Sequence, residues 1–340
     1  MKLIAALVAL VLIGQSASGM VLWNLDNSEN QSDPGTGVPW GSVFAVTDAN
    51  GELCSGSAVY LGNGYLLTAN HVTMNATYKF VTFNGVNFFE IDDTFQSGSR
   101  AAGKQVASGE AGVVLDMAVF KLKTIPGGVQ PATLLSTPSE EVASATMVGW
   151  GVGRAAGEAL EDPVVSWGNS TTSEKRWGVN TPRDLVSISY GGGNYTAIRT
   201  VAGGNGASFD PDGLGNAEAA ATLLDSGSGL FQEIGGTWYL IGLTNTVDQL
   251  GGGSTSTFGD DKTSGAGRGD GNYFTRISDY DAQILATIPE PATAILLGIT
   301  LLLTPLAFRR SRKLIKAPPS LRETENEHAA NGGEPSANGG

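Results

Sequence analysis

The chain has 340 residues, a formal charge of −13, 41% hydrophobic residues, only 16% charged residues and 48 glycines. Few charges and abundant glycine argue against coiled coils and charged helical bundles, and the acidic balance argues against non-specific nucleic-acid binding, which needs basic patches. The hydrophobic share excludes global disorder and allows one large β unit or about two domains.

In chain order, Met1-Lys2 and the apolar run from Leu3 to Gly14 have the layout of a secretory signal over residues 1–18. The small residues Ser16-Ala17-Ser18 place cleavage after Ser18, and the alternative is an uncleaved anchor, for which the run is short. Residues 19–40, with Pro34, Gly35, Gly37 and Pro39, read as an irregular arm. Short β-like runs follow at Val43–Val46, Ser57–Leu61, Tyr65–Leu67, Tyr78–Phe83, Phe88–Ile91 and Gly112–Leu122. More come at Thr146–Val148, Leu185–Tyr190, Thr237–Leu243 and Tyr273–Ile277, with turn residues between them. This spacing predicts an all-β sandwich or barrel, without alternating helices or a fixed-period repeat. One helix is expected, Ser278 to Thr287, with Ser278 as its N-cap, and Gly251 to Asp270 reads as a surface loop. Beyond Pro289-Glu290-Pro291, Ala292 to Phe308 carries no charge and is about 25 Å long as a helix, just enough to span a bilayer. Arg309, Arg310, Arg312 and Lys313 follow, and a basic cluster is retained on the cytoplasmic side. Residues 314–340 read as a disordered tail.

Five features bear on chemistry. Only two histidines occur, His71 and His328, and His328 lies in the tail, so a histidine base must be His71, directly after an apolar strand. Asp116 sits within the apolar run Val113–Phe120 and is either solvated at a turn or partnered, for instance by an imidazole. Asp225-Ser226-Gly227-Ser228-Gly229 is either a linker or a tight turn that exposes a serine hydroxyl while backbone N–H groups converge on one point. Cys54, the one cysteine, reads as a small buried side chain, and Asp210 to Glu218 as an acidic turn rather than a calcium loop. No metal or cofactor is called for.

Leu67-Thr68-Ala69-Asn70-His71-Val72, Asp116-Met117-Ala118-Val119 and Asp225-Ser226-Gly227-Ser228 follow one another in the order His, Asp, Ser, and these flanks resemble the trypsin/chymotrypsin-like serine proteases. Cys54-Ser55-Gly56-Ser57, Val148-Gly149-Trp150-Gly151, Gly236–Gly242 and Tyr273–Tyr280 resemble further strands of that family, so the likeness covers about residues 38–287. It implies two packed antiparallel Greek-key barrels, 41–140 and 141–288, the second ending in the helix, with the active site between them. It implies Ser226 as nucleophile, His71 as base and then acid, Asp116 as its orienting carboxylate, and the backbone N–H groups of Leu224 and Ser226 as oxyanion donors, acting on protein or peptide substrates. The base of the specificity pocket is expected at Ala220, six residues before Ser226, which disfavours cleavage after Lys or Arg. Leu224 stands where the family has glycine, Ser228 is a rival nucleophile, and no activated N-terminus is visible, so Asp225 is expected to lack an ammonium partner. The alternative is a catalytically silent trypsin-like domain used as a surface binding or matrix module. Segment 289–313 resembles the PEP-CTERM sorting signal of Gram-negative bacteria. That likeness implies an exported protein whose C-terminal membrane helix is processed by an exosortase, although the polar extension departs from the pattern.

Overall fold

The protein is described by a computed structural model over residues 20–289, apart from 24, 27, 49–50, 52–53, 75–76, 98–101, 112, 140–142, 161, 171–172, 192, 204–213, 250–252 and 260–268. The expected signal segment, residues 290–313 of the sorting segment, the tail and the acidic turn at 210–213 lie outside the described residues.

The turn-separated β-branched and aromatic runs form strands, as their pleated geometry favours. A first sheet uses β2 (Val43–Asp48), β3 (Cys54–Gly62), β4 (Tyr65–Thr68), β5 (Tyr78–Thr82), β6 (Phe88–Glu90), β7 (Lys104–Ala107) and β8 (Val114–Lys121). They pair antiparallel in the order β6-β5-β2-β3-β4-β8-β7. A second sheet uses β10 (Ala145–Gly149), β12 (Arg176–Asn180), β13 (Asp184–Tyr190), β14 (Gly193–Val201), β16 (Gly229–Ile234), β17 (Thr237–Val247) and β19 (Gly271–Arg276), in the order β12-β10-β16-β17-β19-β14-β13. The short β9 (Thr133–Leu134) adds to β17 in parallel. Two small ribbons complete the chain: β1 (Val21–Leu22) with β15 (Ala219–Ala220), and β11 (Val164–Ser166) with β18 (Thr255–Thr257).

The expected all-β class with two β halves is present, with one correction. Among the described residues no continuous ladder closes either sheet into a barrel. In the first sheet the end strand β6 meets the far end of β8, the strand next to the other edge, where Ile91 bridges Leu122, flanked by Asp92 N–H to Lys121 O and Lys123 N–H to Glu90 O. The expected helix is also shorter. α1 spans Asp281–Thr287 behind Tyr280, and Ser278 does not cap it.

Alternation along the strands sorts side chains into separate cores. Phe44 and Val46 face the first sheet's own core with Leu66, Val81 and Phe120. Val43, Val59, Leu67 and Met117 face the opposite way, into a core shared with Val148, Phe231 and Leu243 of the second sheet. Each such fully buried side chain contributes about 1.5–3 kcal/mol. The two sheets are therefore fused by a common apolar layer. The arm is not wholly irregular. Met20, Val21 and Leu22 are buried, with Met20 and Leu22 in the second sheet's core.

Candidate active site

Strand register brings the first two candidate side chains, His71 and Asp116, together. In the β4–β8 ladder Thr68 lies opposite Ala118. The chain then leaves β4 through a 3-10 turn, Asn70–Met74, which folds over β8 two residues from Ala118, at Asp116. Asp116 is 1% exposed. Its Oδ1 accepts the His71 backbone N–H at 2.9 Å, and its Oδ2 pairs with His71 Nδ1 at 2.7 Å. The Asn245 side-chain amide, from β17, also donates to Oδ2. A buried carboxylate can only accept, so Nδ1 carries the proton and Nε2 is left as the basic nitrogen. The imidazole is exposed on its other side, with 41% of the side chain open to solvent.

The serine lies on the turn between β15 and β16. This turn is built around a second sealed carboxylate. Asp225 is 0% exposed and accepts from Gly151 N–H at 2.9 Å, Thr222 N–H at 2.8 Å, Thr222 Oγ1 at 3.1 Å and Met20 N–H at 3.3 Å. Burial pushes its carboxyl up to about 6, against the pull of these donors. The Met20 contact is a neutral main-chain N–H that the arm brings to this carboxylate, where the sequence led to no ammonium partner being expected. Gly227 follows at φ +82°, and a Cβ there would stand 2.1 Å from Ser57 O, so only glycine fits. Ser226 O in turn accepts Ser57 N–H at 2.7 Å, and Gly227 N–H donates to Thr244 O at 2.8 Å. The serine turn is thus stitched to β3 of the first sheet, beside the strand that leads into His71.

Leu224 occupies the left-handed region, φ +72°. That conformation costs a non-glycine residue about 1–2 kcal/mol. Among the described residues, neither Leu224 N–H nor Ser226 N–H has a backbone acceptor, whereas Asp225 and Ser228 N–H are used within the turn. Both are therefore free to donate to an incoming oxygen. No hydrogen bond joins Ser226 Oγ to His71 among the described residues; in unliganded sites such contacts are commonly long and tighten on binding. The rival Ser228 is fully buried, with its hydroxyl bonded to Thr244 Oγ1 at 2.5 Å, so it cannot meet a substrate. Cys54 is buried, and its thiol is pushed up to about 12 by burial, which leaves it unreactive.

A cavity of about 150 Å³ opens beside Ser226, walled by Trp167, Leu223, Leu224, Asn245, Thr246 and Val247 among others, and none of the lining residues is a carboxylate. Ala220 is not on its wall. β1 pairs over β15, with Val21 opposite Ala220, and seals that residue with Trp23 and Phe258. The count back from Ser226 could not register this cover, because the arm lies some two hundred residues away in the chain. Asn245 was likewise invisible in the sequence, since nothing local distinguishes it from any other polar residue of a strand. Among the described residues no cluster of His, Cys, Asp or Glu is arranged to hold a metal.

The family model described as Trypsin matches residues 27–204, a stretch that takes in His71 and Asp116 and ends before Ser226. No curated protein matches the chain. Among solved structures, the chain is similar to the active form of the Rv3671c protease from M. tuberculosis at 12% identity and TM-score 0.43, over 74% of this chain and 83% of that one. The inactive form of the Rv3671c protease gives 15% identity and TM-score 0.40, over 74% and 91%. The HtrA-type protease AlgW with a decapeptide gives 16% and 0.39, over 69% of this chain and 50% of that one.

Proposed function

The chain belongs to the trypsin family, and we propose that it is an exported serine endopeptidase in which Ser226, His71 and Asp116 form the catalytic set. The observation that carries this reading is the doubly bonded Asp116–His71 pair beside the Ser226 turn. Nε2 of His71 takes the Ser226 proton as the hydroxyl attacks the scissile carbonyl, and later gives it to the leaving amine. Asp116 holds the tautomer and stabilises the imidazolium. The Leu224 and Ser226 N–H groups receive the tetrahedral oxyanion, a contact for which one donor is typically worth about 10²–10³ in rate. A second round, with water as nucleophile, frees the enzyme. The uncharged 150 Å³ cavity favours a small or medium uncharged side chain before the scissile bond and not Lys or Arg.

Labelling by a fluorophosphonate probe tests this assignment. The wild type is expected to label and Ser226→Ala to lose the label; a folded wild type that stays unlabelled overturns it. That second outcome would favour a silent binding module, a reading to which the strained Leu224 lends weight.

Export belongs to the same reading. Removal of the signal after Gly19, not after Ser18, suits the burial of Met20 and leaves Ala17 and Gly19 as the small residues before the cut. Met20 N–H would then become an ammonium facing the sealed Asp225. At the other end, the Pro-Glu-Pro segment is proposed as a substrate for an exosortase-type enzyme in a Gram-negative envelope, with periplasmic or cell-surface placement. Among the described residues no helix is long and apolar enough to cross a membrane. Mass spectrometry of the mature protein is expected to find Met20 first and a C-terminus near Pro289; intact termini would overturn both cuts.

A further inference from the structure

A cavity of about 520 Å³ lies away from Ser226 and shares no lining residue with the cavity beside it. Strands of the first sheet form one wall, and Trp150 and the segment leading into β12 form the other. Two polar groups on its lining lack the partners their chemistry demands. Lys175 is 6% exposed, and the carboxylate that acts on it electrostatically, that of the exposed Asp33, makes no close ion pair with its ammonium among the described residues. Nζ donates once, to Phe83 O at 3.2 Å, and otherwise lies over aromatic faces, 4.8 Å from the Trp40 ring centre and 5.9 Å from that of Trp150. The second group is Gln31, whose Nε2 is buried without a hydrogen-bond partner.

A buried cation without a close counter-ion and a buried amide with unused protons are both unfavourable, and one anion whose two oxygens reach both groups would relieve both. There is a single ammonium and no guanidinium fork on the lining, which suits one negative charge rather than a phosphate. Glu174 also lines the cavity, but its side chain is 42% exposed and its Oε2 stands 3.6 Å from Arg176 Nη2. Among small and polar residues the wall also carries Trp40, Phe83, Phe88 and Trp150, whose rings accept an apolar body.

We propose that this cavity binds a small organic carboxylate, with its two oxygens taken by Lys175 and Gln31 and its apolar part held among the aromatic side chains. Nothing in the peptidase reading requires such a site, so the two stand or fall separately. Burial brings the Lys175 amine down to about 7, and a bound anion would restore its charge.

The test is calorimetry of the whole protein with phenylacetate and with its neutral counterpart phenylacetamide, accompanied by tryptophan fluorescence to report on Trp40 and Trp150. The acid is expected to bind at least about tenfold more tightly than the amide. That preference is expected to vanish in Lys175→Met and in Gln31→Glu, the second variant deciding the matter should the first not fold. Equal affinity for acid and amide, no binding at about 10 mM acid, or an unchanged preference in both variants overturns the site. A free acid and a chain end share this chemistry, so acetyl-Ala-Phe and its C-terminal amide form a second arm. Tighter binding of the peptide acid than of phenylacetate assigns the cavity to peptide C-termini, and the reverse order assigns it to free acids.

Discussion

The two sealed carboxylates, Asp116 at 1% and Asp225 at 0% exposure, are handled in opposite ways. Asp116 is held by an imidazole, that residue's own backbone N–H and Asn245, and the imidazole opens to solvent on its far side. Asp225 is surrounded by four neutral donors from three residues, Met20, Gly151 and Thr222, and among the described residues it faces no titratable hydrogen-bond partner. One carboxylate is wired to a proton that can move. The other pins a turn whose backbone would otherwise relax. Catalysis of the proposed kind needs both, and each fails differently when disturbed.

The largest expected effect is on the wired carboxylate. Asp116→Asn keeps the shape but lets the ring adopt the wrong tautomer, and turnover of a peptide substrate is expected to fall about 10⁴-fold with little change in melting temperature. A drop of less than about tenfold would mean that His71 does not depend on Asp116.

The pinned carboxylate should instead speak through stability. With Met20 as an amide, the folded Asp225 carboxyl stands at about 6 against an ordinary value of 3.8. Between those values the native state keeps a proton that the unfolded chain has released. This contribution is therefore fully present below pH 3.8 and lost as the pH rises towards 6, by about 3 kcal/mol. If processing makes Met20 the terminus, the adjacent ammonium pulls the carboxyl down, and stability should rise with pH across the acid range. Denaturant unfolding of the precursor and the processed form, each with and without Asp225→Asn, reads the sign directly. Slopes of the same sign in both forms would show that the terminus does not reach the carboxylate.

The smallest effect is expected at Leu224. Leu224→Gly relieves the left-handed strain but frees the unfolded chain and gives up side-chain contact, so stability should change by less than about 1 kcal/mol. The N–H survives, and turnover should stay within about threefold. A large loss of activity would mean that the side chain itself shapes the site.

The sequence made the motif residues legible because each carries its own local signal: a histidine just past an apolar strand, a carboxylate inside an apolar run, a serine in a glycine turn. Contacts closed over long stretches of chain left no such mark. Asn245 meets Asp116 across 129 positions and Met20 meets Asp225 across 205. The glycine-rich look of residues 191–215 concealed β14, whose nine residues lie between β13 and β19 in the second sheet. The place expected of Ala220 rested on counting residues, and counting cannot foresee a strand from the far end of the chain lying on top.

The bond from Ser57 N–H to Ser226 O and the fit of Gly227 against Ser57 tie the Ser226 turn to the half of the molecule to which it does not belong by sequence. Any sliding of one sheet over the other must therefore carry the hydroxyl along with the imidazole, so slack between the halves is absorbed elsewhere. Amide exchange at Ser57 and Gly227 should be among the slowest in the protein, a direct gauge of how firmly that seam is sewn.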